Sequence, residues 1–121
     1  MPELIAHGFG DYVLQSQSMA DRKVSDIRWA LLHAFVYGLP FLVLVPSLSA
    51  WLVIVLTHAL IDRYSLAKKW CDFYGTGTRA HGLWARWNVS TDPVPPLLVT
   101  GLTIIVDNTF HLLINHLALA M

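Results

Sequence analysis

The sequence predicts an all-α protein, a small transmembrane helical bundle with an N-terminal amphipathic or re-entrant helix and three membrane helices. Hydrophobic residues make up 55% of the 121 residues and charged residues 13%, about half the charged fraction of a soluble domain. No Asp, Glu, Lys or Arg occurs from Trp29 to Ile61. This balance favours lipid-facing helices, and the length favours one membrane domain over residues 1–121.

The first predicted helix covers about residues 2–19 and is amphipathic. Its apolar positions are Leu4, Ile5, Phe9, Val13 and Leu14. Its polar positions recur every fourth residue, at Glu3, His7, Asp11 and Gln15. The segment is short and polar for a full crossing, so we expect it to lie against the bundle or to re-enter the membrane.

The long uncharged stretch predicts two membrane helices rather than one, because about 20 residues are enough for one crossing. A break at Pro46-Ser47 divides it into a second helix over about 27–45 and a third over about 48–66. Pro40 lies inside the second helix, where it predicts a kink.

The remaining chain predicts an interfacial loop over 67–96 and a fourth helix over about 97–120. Three Trp and three Gly occur between Trp70 and Pro93, and we expect the aromatic rings of the loop at headgroup depth. The prolines at 95 and 96 favour a helix that begins directly after them.

The distribution of basic residues predicts the orientation of the protein. All eight Lys and Arg residues lie within Arg22–Arg28 or Arg63–Arg86. By the positive-inside rule, both stretches face the cytoplasm and the protein is integral to the inner membrane. The expected partners are the lipid bilayer and another membrane protein or a second copy of the chain. A net charge of zero argues against nucleic-acid binding through a cationic face.

Three His–Asp pairs at a spacing of four residues point to a functional site, where chance predicts about 0.7 such pairs. A buried Asp in mid-membrane costs about 2.5–3.5 kcal/mol, so we expect these side chains to face compensating partners in the bundle interior. A single pair is more often a His–Asp hydrogen bond on a helix face than a metal site. The pairs are His7 with Asp11, His58 with Asp62, and Asp107 with His111.

A divalent metal ion (Zn, Mn or Fe) explains these residue types best, because imidazole and carboxylate are both ligands for such ions. Two ligands four residues apart can hold one ion from a single helix. The predicted metal ligands are His7, Asp11, His33, His58, Asp62, Asp107 and His111. They are enough for one ion or for two ions that share carboxylates. Gln15, Tyr37 and Asn115 each lie four residues from a ligand and are candidate outer partners.

Four motifs together carry a resemblance to a family: HGFGDYVLQSQSMADRK (7–23), LLHAFVY (31–37), THALID (57–62) and DNTFH (107–111). They are similar to the small bacterial and phage membrane proteins of the domain-of-unknown-function family 3307. The family pattern is HxxxDxxLQ, a His in the second helix, HxxID in the third and a terminal D-Q-xx-H. Asn108 stands here where the family usually has Gln. The resemblance implies a shared polar site at the matching positions, and the phage members imply a host-interaction role.

Three functions stay open at this point. The first is a metal-dependent membrane hydrolase of a lipid-like substrate, which loosely resembles inner-membrane proteins described as metal-dependent hydrolases. Its catalytic residues are Asp11, Asp62 and Gln15, with Gln15 or Tyr37 orienting the substrate or the water. The second is a non-enzymatic membrane interaction module, phage-encoded and acting on a host membrane protein, with the His/Asp cluster as a structural staple. The third is a proton or metal-ion path.

Overall fold

The computed structural model describes residues 2–74 and 95–121, and these residues form helices without any strand. The all-α class is therefore confirmed. The α-helices of these residues are α1 (Pro2–Gly8), α2 (Gln17–Arg22), α3 (Ile27–Gly38), α4 (Leu48–Tyr64), α5 (Leu66–Tyr74) and α6 (Pro96–Leu119). A π-helical turn, Phe9–Val13, follows α1, and a 3-10 helix, Leu39–Val43, follows α3.

The N-terminal segment is broken, so the prediction of one helix over 2–19 is wrong in this respect. The π turn is closed by the Leu14 N–H, which donates to the Phe9 carbonyl at 3.0 Å. A new helix starts after Ser16, whose hydroxyl accepts from the Met19 N–H at 3.3 Å. Glycine weakens a regular helix, and Gly8 and Gly10 flank the point where the α-helical pattern ends.

Helices α3 and α4 pack closely through small residues. A Cβ on Gly38 would lie 2.5 Å from the Val55 side chain and 3.0 Å from the Trp51 ring nitrogen. The Trp51 ring N–H donates to the Gly38 carbonyl at 2.8 Å. The chain passes into the 3-10 helix beside Pro40, because proline cannot continue the hydrogen bonding of an α-helix. This close contact brings the polar side chains of α3 and α4 together.

The chain forms two compact units, Met1–Tyr64 with His111–Met121, and Ser65–Phe110. One apolar core cluster of the first unit is formed by Ala6, Tyr37, Phe41, Ile54 and Ala118. In the second unit, the Trp70 ring packs edge-on against Phe110 with centroids 5.7 Å apart. Helix α5 covers the beginning of the predicted interfacial loop, and residues 75–94 of that loop lie outside the described residues.

The number of clear membrane-span candidates is smaller than the three that the sequence predicts. Among the described residues, only Pro96–Leu119 is long and apolar enough by itself, with a mean hydropathy of 1.7. The number of candidates rises to two if Leu48–Tyr64 and Leu66–Tyr74 are counted as one bent span. The apolar segment Ile27–Val43 is shorter than the length required of a candidate. Helix α4 ends early because Ser65 adopts a left-handed φ of 49°.

Candidate metal centre

Four polar side chains from three elements meet inside the first unit. The π turn supplies Asp11, α3 supplies His33, and α4 supplies His58 and Asp62 one helical turn apart. The four residues are 0–6% exposed. The π turn places a carboxylate among the three other groups, and π turns are frequent at functional sites. We call these four residues the inner cluster.

The facing atoms of the inner cluster are separated by the distances expected of ligands on one ion. His33 Nε2 lies 3.0 Å from His58 Nε2, 3.1 Å from Asp11 Oδ1 and 3.2 Å from Asp62 Oδ2. His58 Nε2 lies 3.2 Å from Asp62 Oδ2 and 3.7 Å from Asp11 Oδ1. Atoms about 2.0–2.1 Å from one tetrahedral ion are about 3.3–3.4 Å apart. These five separations are therefore compatible with one ion that the four side chains hold together.

One hydrogen bond cannot satisfy all the groups that face His33 Nε2 in the inner cluster. Each neutral ring nitrogen carries either one proton or one lone pair, yet Nε2 of His33 faces two carboxylate oxygens and a second ring nitrogen. Nδ1 of His33 and of His58 has no hydrogen-bond partner in the described part of the chain. Packing holds the His58 ring instead, because the Tyr37 ring stacks on it at 3.6 Å between centroids. Central positive charge would satisfy the converging acceptors together.

Lys23 is a member of the site that the sequence reasoning missed. Its Nζ lies 2.8 Å from Asp62 Oδ2 and donates to Gln15 Oε1 at 2.9 Å. The Arg63 guanidinium donates to the carbonyl of Val24, the next residue, which fixes this connection against α4. Lys23 belongs to the basic stretch that predicts a cytoplasmic boundary, and no spacing relates it to Asp62. Its role follows only from tertiary contact.

Gln15 lies in the break between the π turn and α2, so it does not continue the polar stripe predicted for a helix. Gln15 is linked to the inner cluster through Lys23, which contacts both Gln15 Oε1 and Asp62 Oδ2. The catalytic role of Gln15, Asp11 and Asp62 stays a prediction.

The two carboxylates are stabilised in their charged form. Burial of Asp11 opposes ionisation, but its hydrogen bond with His33 and nearby positive charge outweigh burial, so the pKa of Asp11 lies below its usual range. The Asp62 carboxylate is paired with the Lys23 ammonium, whose Nζ lies 2.8 Å from Asp62 Oδ2. Two ionised carboxylates in one buried site demand compensating cations.

A second pair of histidines lies beside the inner cluster. His7 Nε2 is 3.9 Å from Asp11 Oδ2, and His111 Nε2 is 3.9 Å from Asp62 Oδ1. Both rings are 2% exposed, and they stack with centroids 5.8 Å apart. We call His7 and His111 the outer pair.

Tyr37 and Asn115, which the sequence predicts as outer partners, form a chain of hydrogen bonds with His7 of the outer pair. The Asn115 side-chain amide donates to the Tyr37 hydroxyl at 2.6 Å, and that hydroxyl lies 2.9 Å from His7 Nδ1. Gly10 allows the close approach of the π turn, because a Cβ there would lie 2.8 Å from the Tyr37 carbonyl oxygen. Tyr37 therefore links His7 to α3 and to the end of α6.

Asp107 belongs to the second unit and is half-buried. It lies one helical turn before His111 on α6. Its role as a metal ligand stays a prediction.

The fold and the site together define a class of protein: a small all-helical chain with a buried group of His and Asp side chains. A comparison with known families identifies it further: the profile described as "Protein of unknown function (DUF3307)" matches residues 1–87. The chain belongs to this family. The matched residues include all four members of the inner cluster and His7, whereas DNTFH lies beyond them. No curated protein and no solved structure matches the chain.

Proposed function

We propose that the inner cluster binds a divalent transition-metal ion and that the protein uses it to hydrolyse a lipid-like substrate at a membrane. The observation that carries this proposal is a set of five separations of 3.0–3.7 Å between the potential ligand atoms of four buried residues. Two imidazoles and two carboxylates are suitable ligands for Zn²⁺, Mn²⁺ or Fe²⁺. A dication would also balance the two carboxylate charges.

A membrane location is supported by the inverted distribution of polar and apolar side chains. The buried positions of the first unit include two Asp and four His, while large apolar side chains on the helices are exposed. Exposed residues on α3, α4 and α6 include Leu31, Leu32, Phe35, Leu52, Leu56, Leu60, Ile104, Ile105, Leu113 and Leu117. Soluble monomers rarely expose apolar surface so extensively, whereas a bilayer covers it. We propose the inner membrane, with the basic stretches on the cytoplasmic side.

Hydrolysis requires an activated water and a place for its proton. A bound divalent ion lowers the pKa of a water and polarises the ester to be cleaved. In this proposal the Asp62 carboxylate, whose Oδ2 lies 2.8 Å from Lys23 Nζ, would hold the ion, and the proton of the water would pass to solvent. Lys23 is 18% exposed and Gln15 is half-buried, so both can contact a substrate that approaches from this side.

The test is the metal content and activity of the detergent-purified protein. We expect at least one Zn, Mn or Fe ion per chain in the parent and none in Asp62→Ala. The matched control is Asp72→Ala, because Asp72 is also 6% exposed but pairs with Lys68 at 2.9 Å. Phospholipids and isoprenoid phosphates are the substrates to assay. A parent without bound metal contradicts the proposal, and metal without hydrolysis contradicts its catalytic part.

The burial of the site favours one second candidate, a structural staple in a membrane interaction module. Structural metal sites are closed by four protein ligands, whereas catalytic ones keep an open position. The inner cluster offers four ligands that are at most 6% exposed. For a staple, removal of the ion by a chelator lowers the melting temperature of a protein that has no hydrolytic activity. Its partner would then be another membrane protein or a second copy.

A further inference from the structure

Each carboxylate of the inner cluster uses only one of its two oxygens there. Asp11 directs Oδ1 towards His33 at 3.1 Å and has Oδ2 3.9 Å from His7 Nε2. Asp62 has Oδ2 3.2 Å from His58 and Oδ1 3.9 Å from His111 Nε2. The same two carboxylates thus lie between two pairs of histidines.

The 3.9 Å separations in the outer pair suit a shared cation better than hydrogen bonds. They exceed the length of an N–H···O hydrogen bond, about 2.7–3.2 Å. They are still shorter than about 4.2 Å, the largest separation of two atoms that each lie about 2.1 Å from one ion. Ligand atoms of Asp11 and His111 also lie within 4.8 Å of each other. His111 is therefore close to both carboxylates.

The surroundings of His7 are compatible with metal ligation through Nε2. The Tyr37 oxygen accepts from Asn115 at 2.6 Å, and a hydroxyl has a second lone pair. It can accept from the Nδ1–H of His7 at 2.9 Å, which leaves the lone pair of Nε2 directed towards Asp11. Metal-bound histidines usually donate their other N–H to such an outer partner.

We propose that the centre is dinuclear: a second divalent cation binds the outer oxygens of Asp11 and Asp62, with His7 and His111 as its nitrogen ligands. Asp11 and Asp62 then bridge the two ions, as carboxylates do in dimetal helical bundles. This inference rests on the proposed function, since the second ion shares the carboxylates of the first.

Charge determines the class of ligand that a dinuclear centre takes. Two divalent ions carry four positive charges against the two negative charges of Asp11 and Asp62. The filled centre therefore has excess positive charge and attracts an anion. The substrate class that follows is a phosphate ester, whose oxygens can contact both ions at once.

The first test counts ions by equilibrium dialysis of the detergent-purified chain against excess Zn²⁺ or Mn²⁺. We expect two ions per chain in the parent and one in His7→Ala and in His111→Ala. His116→Ala is the matched control, because the His116 side chain lies on the same helix but is 72% exposed. It should keep two ions, and a loss of one ion in this variant would assign the second ion to the surface and overturn the inference.

A second measurement needs no variant and so does not depend on the folding of one. Two Mn²⁺ ions bridged by carboxylates about 3.5–4 Å apart give a spin-coupled EPR spectrum, whereas separate ions give the six-line spectrum of isolated Mn²⁺. We expect the coupled spectrum in the parent at saturation. One ion per chain with an isolated spectrum overturns the second position and leaves the proposed function intact. No bound ion overturns both.

Discussion

The two histidine pairs of the first unit have the same chemistry and nearly the same burial, but they differ in what holds them. The inner pair, His33 and His58, contacts carboxylates and each other at 3.0–3.7 Å. The outer pair, His7 and His111, faces the same carboxylates at 3.9 Å. The inner rings come from α3 and α4, which pack closely, while the outer rings come from α1 and α6.

This difference shows how one set of carboxylates can serve two positions of unequal affinity. The inner rings already lie as far from each other and from the carboxylates as ligands of one ion do. Binding an ion there therefore needs little rearrangement. The outer rings must move inward, although Tyr37 guides one of them by hydrogen bonding. Occupancy should therefore be ordered, with the inner position filled first.

The largest effect is expected from His58→Ala compared with His7→Ala. Loss of His58 removes a direct ligand of the inner position, so affinity for the first ion should fall by more than about 100-fold, since even outer partners contribute roughly 10–100-fold. His7→Ala should keep the first ion. Isothermal titration with Zn²⁺ measures both. Equal losses in the two variants would contradict the difference between the pairs.

The next effect concerns the close contact that places Asp11. Gly10→Ala puts a Cβ 2.8 Å from the Tyr37 carbonyl oxygen, which is backbone and cannot easily move. We expect a loss of about 1–3 kcal/mol of stability and weaker binding of both ions. Gly8→Ala is the control, because its Cβ meets nothing within 4 Å and alanine favours a helix. Chemical denaturation compares them, and equal stability of the two variants would refute the contact.

A smaller and more selective effect is expected from Tyr37→Phe. The change removes the hydroxyl that Asn115 and His7 share, and a buried donor left without a partner costs about 1–3 kcal/mol. Affinity for the second ion should fall roughly 10–100-fold, while the first ion stays bound. Loss of the first ion alone would place the role of Tyr37 at the inner cluster.

The smallest effect is expected from Lys23→Met, and it has the opposite sign. Lys23 competes with a metal ion for Asp62 Oδ2, so its removal should raise affinity for the first ion by a few-fold to about tenfold, limited by solvent screening. Lys68→Met is the control, because Lys68 forms a similar 2.9 Å ion pair with Asp72 outside the cluster. Weaker metal binding in Lys23→Met would show instead that Lys23 supports the site.

Sequence patterns were sufficient for the all-α class and for the residue types of the inner cluster. His58 and Asp62 lie one turn apart on α4, a relation that a spacing of four fixes locally. The break between the apolar stretches also follows from local chemistry, because the Ser47 hydroxyl accepts from the Ala50 N–H at 3.2 Å at the start of α4. Local rules of this kind can be read from the sequence.

The remaining features depend on tertiary contact or on small backbone energies. The π turn that carries Asp11 differs from an α-helix by one hydrogen-bond register, which no residue pattern specifies. The partnership of Lys23 with Asp62 joins α4 to the connection before α3, and sequence spacing does not encode it. The early end of α4 at Ser65 likewise reduced the number of clear span candidates.

The most direct test of a His/Asp metal centre is X-ray absorption at the metal edge of the zinc-loaded protein. We predict nitrogen and oxygen ligands at about 2.0–2.1 Å, with the outer-shell scattering of two imidazoles per ion and no sulfur. Asp62→Ala should lose the signal, and Asp72→Ala should keep it. A first shell without imidazole scattering, or an unchanged spectrum in Asp62→Ala, would contradict a metal centre at the inner cluster.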